Sequence, residues 1–134
     1  MYREAVGLIA RYLISDSVLF LLVRGRVYPG EIAEIKDPQY PCVTYKVVGG
    51  GTDREVKEVK GMTLNFWVYS KVSLEECYKI YDTLSDRLFD AFLQGTSGTK
   101  VLRPREVMAP VSYTDVGGTI YRVAGRWSVE LIKQ

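Results

Sequence analysis

Residues 62–93 constrain the fold more than any other stretch, because a strand pattern passes within three residues into a capped amphipathic helix. In residues 62–70 (MTLNFWVYS) apolar side chains alternate, and one strand face would carry Met62, Leu64, Phe66 and Val68. The opposite face would carry Thr63, Asn65, Trp67 and Tyr69, so it is not wholly polar. We therefore expect cover on both faces of this strand, from the N-terminal helices or from another subunit.

The helix of this unit is predicted over about residues 73–94. Ser73 and Glu76 match the S-x-x-E capping box that begins many helices, and Gly95 is placed to end this one. The apolar residues recur at intervals of three and four: Leu74, Cys77, Tyr78, Tyr81, Leu84, Leu88 and Phe92. One continuous apolar stripe of this kind predicts a helix that lies on a sheet.

The rest of the chain predicts two short N-terminal helices and several further strands. The helices cover residues 2–14 and 17–23, with Ser15 or Asp16 as the cap of the second. Strands are predicted at residues 26–28, 42–48, 101–116 and 120–132, with a tight turn at residues 116–119. We expect one α+β domain over residues 1–134, in which one long helix packs on a mostly antiparallel sheet of about four to five strands.

Residues 49–61 separate two of these strands and combine three glycines with charges of both signs. Gly49 is predicted to end the preceding strand, and a glycine hinge is favoured over a phosphate loop because no phosphate-loop motif is present. The segment is expected to be a charged loop or a β-hairpin that protrudes and becomes ordered against a neighbour. Its candidate contact residues are Arg54, Glu55, Lys57 and Glu58.

The absence of histidine removes the commonest general base and the commonest transition-metal ligand. No carboxylate pair has a spacing that recommends it for catalysis, and no serine or cysteine has a partner base. Cys42 and Cys77 are too few for a disulfide framework and are expected to be buried free thiols. We therefore expect no enzyme activity, no catalytic residue, no cofactor and no metal site.

The patterns of charge and hydropathy favour a product of the cytoplasm. A net charge of +2 gives little support for strong nucleic-acid binding. The longest apolar run, residues 18–23, has six residues, whereas a membrane span needs roughly 18. The first residues also lack the uninterrupted apolar region of a signal peptide.

Three aspartates, Asp82, Asp86 and Asp90, recur at four-residue spacing and would form an acidic ridge nearly opposite the apolar stripe of the long helix. Solvated surface charge is the simplest interpretation of this ridge. A divalent-cation site is a weaker one. In a third interpretation the ridge faces a pore and repels DNA that passes through it.

Six arginines lie in or beside predicted strands: Arg24, Arg26, Arg103, Arg105, Arg122 and Arg126. If they cluster on one sheet face, they could bind phosphates. The near-neutral charge balance instead favours ion pairs with carboxylates of the same chain or of a neighbouring subunit.

Ten tyrosines among 16 aromatic residues exceed what a small core needs. Tyrosine is favoured at interfaces because it combines apolar area with a hydroxyl that tolerates water. The tyrosines that would contact a partner, or else lie at the rim of the core, are Tyr2, Tyr28, Tyr40, Tyr69 and Tyr113. With Trp67, the candidate interface comprises Tyr28, Tyr69 and Tyr113 and the charged residues of segment 49–61.

Taken in order, these elements resemble those of the tail-completion or tail-terminator proteins of tailed bacteriophages. The resemblance spans nearly the whole chain and rests on three short signatures. Residues 25–29 (GRVYP) follow the second helix, and residues 66–70 (FWVYS) lead into the long helix. The last strand contains Arg122, Gly125 and Trp127.

The resemblance implies a structural virion protein that is assembled in the host cytoplasm and has no catalytic residues. Proteins of this family form a ring of copies, expected to be hexameric, at the head-proximal end of the tail, although the free chain can be monomeric. The ring ends polymerisation of the tail-tube protein and provides the surface that joins the head–tail connector protein. DNA passes through without specific binding, and no membrane is involved.

Three alternatives remain open from the sequence. A head–tail connector adaptor or stopper belongs to the same class, and the sequence barely distinguishes it from a terminator. A small nucleic-acid-binding α+β module would present the arginines on a sheet face and would show salt-sensitive DNA retention. An enzyme that uses carboxylates alone would show a concave pocket with strongly perturbed acids.

Overall fold

The computed structural model describes residues 2–52, 59–114 and 117–133, and over these ranges the chain forms three α-helices and six β-strands. The strands are β1 Val27–Pro29, β2 Cys42–Thr52, β3 Val59–Ser70, β4 Leu93–Gln94, β5 Thr99–Thr114 and β6 Tyr121–Lys133. They form one sheet in the order β1-β2-β3-β6-β5-β4, with only the β1–β2 pair parallel. The α+β class is confirmed, but the sheet has six strands and not four to five, because residues 93–94 form the edge strand β4, which the sequence does not predict.

The three helices are α1 Tyr2–Ser15, α2 Ser17–Val23 and α3 Leu74–Leu88. Asp16 caps α2, because its carboxylate accepts a hydrogen bond from the backbone N–H of Leu19 at 2.9 Å. At 14 residues α1 is nearly as long as α3 with its 15 residues, so the prediction of one long helix and two short ones is wrong in this detail.

Helix α3 begins where the capping box predicts, because the Ser73 hydroxyl accepts a hydrogen bond from the N–H of Glu76 at 3.1 Å. It ends at Leu88 and not near residue 94. Asp90 lies in the left-handed region with a φ of 58°, and its N–H donates to the carbonyl of Pro104 at 3.3 Å. The chain then leaves the helical path and forms β4, which the sequence pattern had assigned to the helix.

Gly95 belongs to the β4–β5 hairpin and does not stop the helix. Its N–H donates to the carbonyl of Thr99 at 2.7 Å, which closes the turn. The carboxylate of Glu4 from α1 lies directly against the α-carbon of Gly95, so a side chain there would have to displace the end of the Glu4 side chain. The glycine therefore allows this carboxylate to approach the backbone of the hairpin.

The core lies between the three helices and one face of the sheet, which we call the inner face. Met62, Leu64, Phe66 and Val68 are each at most 1% exposed, so the predicted alternation is confirmed. On β6 the same face carries Val123, Trp127, Val129 and Leu131, and all four are buried. Helices α1 and α2 pack beside α3 on this side, and the Tyr12 hydroxyl donates to the carbonyl of Arg87 at 2.7 Å.

Because all three helices cover the inner face, they do not cover the second face, which we call the outer face and which carries Trp67. Part of the outer face is covered instead by the crossing segment between β1 and β2, which includes a 3₁₀ turn at Ile32–Glu34. Tyr69 is only 5% exposed, whereas Trp67 is half-buried. The expected second cover is thus supplied within the chain for Tyr69 and is incomplete for Trp67.

Strands β2 and β3 form a long antiparallel hairpin, whose register extends to the pair Thr52 and Lys60. Strand β2 therefore continues through the three glycines, and the prediction that it stops at Gly49 is wrong. A bulge between Val47 and Gly49 shifts the register where the glycines begin, which glycine tolerates easily. The hairpin alternative for segment 49–61 is the correct one, and residues 53–58 lie outside the described ranges.

Candidate interaction surfaces

The outer face of the sheet brings together four of the predicted interface residues. Tyr28 of β1 is the cross-strand partner of Thr44 in β2, and Thr44 is in turn the partner of Trp67 in β3. Both aromatic side chains therefore lie in one row across the three strands. Tyr69 and Tyr113 lie in a second row on either side of Arg122, because each is its direct cross-strand partner. The sequence had suggested these residues separately, and the register places them on one surface.

Arg122 is the centre of the second row. Its guanidinium lies 4.6 Å from the centre of the Tyr113 ring, a cation–π geometry. Burial raises the pKa of Tyr69, and a hydrogen bond from Arg122 offsets part of that rise. Within the described residues Arg122 has no carboxylate partner. Its guanidinium therefore contacts the aromatic side chains on both sides of it, Tyr69 and Tyr113.

A pocket opens beside this row, and we call it the tyrosine pocket. It has a volume of about 190 Å³ and combines aromatic and aliphatic walls with one cation. Its lining includes Ile32, Tyr40, Tyr69, Tyr113, Ile120 and Arg122. The crossing segment contributes Ile32 and Tyr40, so the same segment that covers Tyr69 also builds one wall. Such a lining suits an apolar side chain with a neighbouring negative charge.

The distal half of β5 is the most exposed part of the sheet. Beyond residue 102, β5 has β6 on one side and no strand on the other among the described residues, because β4 pairs only with Lys100 and Val101. Val107, Met108, Val111 and Tyr113 are 53%, 41%, 40% and 45% exposed. Apolar side chains in this number on a strand with one free edge are typical of a contact surface.

The six arginines do not form one phosphate-binding cluster. Arg103 and Arg105 make ion pairs with Glu130 and Asp90 at 3.4 and 3.0 Å. Arg26 donates to the carbonyls of Tyr40 and Pro41 at 2.9 and 3.0 Å, which fixes the crossing segment.

Three arginines remain. Arg126 donates to the side-chain carbonyl of Asn65 at 2.9 Å, and Arg24 lies at the C-terminal end of α2. The sixth arginine, Arg122, lies between Tyr69 and Tyr113 on the outer face. Ion pairing within the chain is thus confirmed for two of the six.

The acidic ridge is shorter than predicted. Asp82 and Asp86 are exposed on α3, but Asp90 follows the end of the helix and pairs with Arg105. Within residues 2–52, 59–114 and 117–133, no group of three potential ligands could hold a metal ion. A role for Asp82 and Asp86 in repelling DNA stays a prediction.

A second exposed apolar surface lies at the end of α3, and we call it the helix-end patch. It comprises Val18 and Leu21 of α2 and Phe89 and Phe92 after α3, which are 45%, 77%, 58% and 59% exposed. The ion pair between Asp16 and Arg87 joins the start of α2 to the last turn of α3, the two elements that carry or precede these residues. The sequence pattern places Phe92 in the apolar stripe of the predicted helix and does not identify Phe89 as a contact residue.

The remaining predicted contact residues do not join these surfaces. Tyr2 lies on α1, where the ammonium of Lys60 is 5.3 Å from its ring centre. Tyr40 lies under the ammonium of Lys71 at 4.7 Å and forms part of the pocket wall. Arg54, Glu55, Lys57 and Glu58 lie outside the described residues.

The titratable groups of the core serve packing. Cys42 and Cys77 are free and fully buried, as predicted, and burial raises their pKa values to about 12 and about 11. The Tyr81 hydroxyl donates to Glu106 and accepts from the indole N–H of Trp127 at 3.1 Å. Burial, and then this hydrogen bond to Glu106, raise the pKa of Tyr81. The cluster ties α3 to β5 and β6.

No single helix of the described chain is long and apolar enough to cross a membrane. Helices α1 and α2 satisfy length and composition only when taken together, across an 85° bend.

Comparison with known proteins gives one informative kind of match. No protein-family model matches the sequence, and no curated protein matches it. The structure is similar to a chain in a solved structure described as the virion of a native gene transfer agent (GTA) particle, with a TM-score of 0.75. The two chains are 15% identical, and the match covers 94% of this chain and 92% of the other. At this identity the comparison shows that the two chains share a fold.

Proposed function

We propose that this chain is a structural protein of a virion, and that it forms a ring at the head-proximal end of a bacteriophage tail. The observation that carries the proposal is the fold shared with a virion chain over nearly the full length of both. The resemblance of the sequence to tail-terminator proteins supports it independently, because it rests on residues and not on the fold comparison.

The ring would end polymerisation of the tail-tube protein and join the tail to the head–tail connector protein. Its subunits would be copies of this chain, six by the family resemblance, and the free protein can be monomeric before it meets the tube. The protein would be assembled in the host cytoplasm, remain in the virion and carry no catalytic residue or cofactor. The outer face and the distal half of β5 offer the uncovered apolar area that such contacts require.

Polymerisation of tail-tube protein in the presence of the purified chain tests this function. We expect tubes that are shorter on average and that carry density for the added protein at one end in electron micrographs. Unchanged tube lengths and bare ends at saturating protein would refute the proposal. Binding to the connector without any effect on tubes would indicate the adaptor alternative.

A matched pair of tyrosine variants sharpens this test. Tyr113→Ser removes an exposed ring from the outer face, whereas Tyr2→Ser removes a similarly exposed ring from α1. Each tyrosine also contacts one cation, Arg122 or Lys60. We expect Tyr113→Ser to lose most tube capping and Tyr2→Ser to retain it.

A further inference from the structure

The tyrosine pocket and the helix-end patch are at opposite ends of the molecule. Phe92 directly precedes Leu93, which pairs through Val101 with Leu131 of β6. The pocket residue Arg122 lies nine positions earlier on the same strand. At about 3.3 Å per residue, the two sites are about 30 Å apart along the strand. A molecule therefore cannot place its own Phe92 in its own pocket.

The size of the pocket limits its occupant. At about 190 Å³ it is smaller than the pockets of roughly 300–1,000 Å³ that enclose free small ligands. Its aromatic and aliphatic walls suit one ring, and Arg122 provides a cation that has no carboxylate partner among the described residues. The matching occupant is an exposed aromatic side chain with an acidic neighbour.

The helix-end patch has that chemistry. Phe92 is 59% exposed, and Asp86 is exposed on the last turn of the helix that precedes it. Phe89 is less suitable because the guanidinium of Arg105 already lies 4.7 Å from its ring centre. Phe92 thus offers the aromatic ring, and Asp86, six positions earlier in the chain, offers the negative charge that the pocket would receive.

We propose that two copies of this chain associate head to tail, with Phe92 of one copy in the tyrosine pocket of the next and Asp86 near Arg122. This inference rests on the proposed function only in naming the ring as the assembly in which the contact repeats. The contact is heterologous, because each copy uses two different surfaces, and such contacts close into rings or extend into filaments. Asp86 then faces a neighbouring copy, and Asp82 alone is left to face a lumen.

Complementary variants test the contact. Phe92→Ser removes the ring but keeps the pocket, and Arg122→Glu spoils the pocket but keeps the ring. We expect each variant to weaken self-association by at least about tenfold in sedimentation experiments. Val48→Ser is the matched control, since Val48 is 42% exposed on β2 and belongs to neither the tyrosine pocket nor the helix-end patch, and it should associate normally. Circular dichroism should show that all three variants remain folded.

An equimolar mixture of the two variants gives the decisive result. Phe92 of the Arg122→Glu chain can still enter the intact pocket of the Phe92→Ser chain, so we expect a heterodimer that grows no further. Normal association of both single variants, the absence of a heterodimer, or a chain that is monomeric at its highest soluble concentration would each overturn the inference. A pocket that instead takes a side chain of the tail-tube or connector protein would give these same negative results.

Cross-linking provides a second readout. The two native cysteines are buried, so cysteines introduced by Gln94→Cys, beside Phe92, and Thr114→Cys, in the pocket lining, would be the accessible ones and would leave Phe92 and Tyr113 in place. The double variant should give an oxidised ladder of dimers, trimers and larger species, and neither single variant should extend beyond dimers. A double variant that gives no more product than the single variants contradicts the contact. Tube capping, measured separately, tests the proposed function without depending on this outcome.

Discussion

The absence of a side chain at one glycine of β6 allows α3 to pack closely on the sheet. Gly125 of β6 has the ring and hydroxyl of Tyr81 directly over its α-carbon, so a β-carbon there would overlap them. We expect Gly125→Ala to lower the free energy of unfolding by about 1–3 kcal/mol in chemical denaturation, because overpacking forces the core apart. Gly49→Ala is the control, since no atom lies within 4 Å of a β-carbon at that position. It should leave stability unchanged or raise it slightly, and equal losses in the two variants would contradict the assigned role of Tyr81.

The two buried thiols make the protein sensitive to alkali. Their pKa values of about 12 and about 11 lie above the ordinary value of 9.0, so the native state keeps protons that the unfolded state loses. Stability should therefore be constant with respect to these groups below pH 9 and fall above it, by up to about 1.4 kcal/mol per pH unit for each thiol. Urea unfolding between pH 8 and 10 measures the slope. In the Cys42→Ala/Cys77→Ala variant the slope up to pH 9 should disappear, and the loss that remains nearer pH 10 belongs to Tyr45, Tyr69 and Tyr81, whose pKa values are also raised by burial.

At the scale of elements, the end of α3 is the clearest difference from the sequence pattern. Asp86 is in the helix, whereas Asp90 has a φ of 58° beyond it. Asp86→Ala should raise stability by a few tenths of a kcal/mol, up to about 0.5, through helix propensity. Asp90→Ala should lower it by about 1 kcal/mol, because alanine lacks the polar side chain that makes aspartate tolerant of the left-handed region and the contact with Arg105 is lost. Thermal unfolding distinguishes the two, and a gain in both variants would mean that the helix continues to Gly95.

The sequence predicts those elements whose local pattern and tertiary role agree. The strand over residues 62–70 and the start of α3 are correct because alternation and a capping box are local signals. The end of α3 could not be predicted, because the hydrogen bond from Asp90 to Pro104 and the pairing of β4 with β5 are distant contacts. The glycines of β2 were predicted to end this strand. They do not end it, because β3 provides their backbones with pairing partners.

At the scale of the whole molecule, the distribution of arginines argues against a nucleic-acid-binding module. Arg103 and Arg105 are paired with carboxylates, and Arg26 is used within the chain. We expect duplex DNA to be retained weakly at low salt and to be released well below physiological ionic strength, as a fluorescence anisotropy titration would show. Arg122→Ala should change this weak binding by less than about threefold. A steep salt dependence that corresponds to four or more phosphate contacts would restore the nucleic-acid alternative.

The candidate surfaces could be predicted only in part. Tyr28, Trp67, Tyr69 and Tyr113 were identified from composition and alternation, and the strand register then placed them on one face. The exposed position of Phe92 follows from the early end of α3 and was not visible in the helical spacing. The exposure of Phe89 could have been predicted from the sequence, since this residue lies off the apolar stripe of the predicted helix.

The irregular edge of β5 bears on which kind of contact this edge can make. Pro104 and Pro110 remove two backbone donors, and the register against β6 shifts three times between Leu102 and Val111. A straight edge of this length would template further strands and lead to fibrous aggregates. The bends deny an incoming strand a regular ladder while the side chains of β5 stay exposed, so contacts at this edge are expected through side chains and not through addition of a strand.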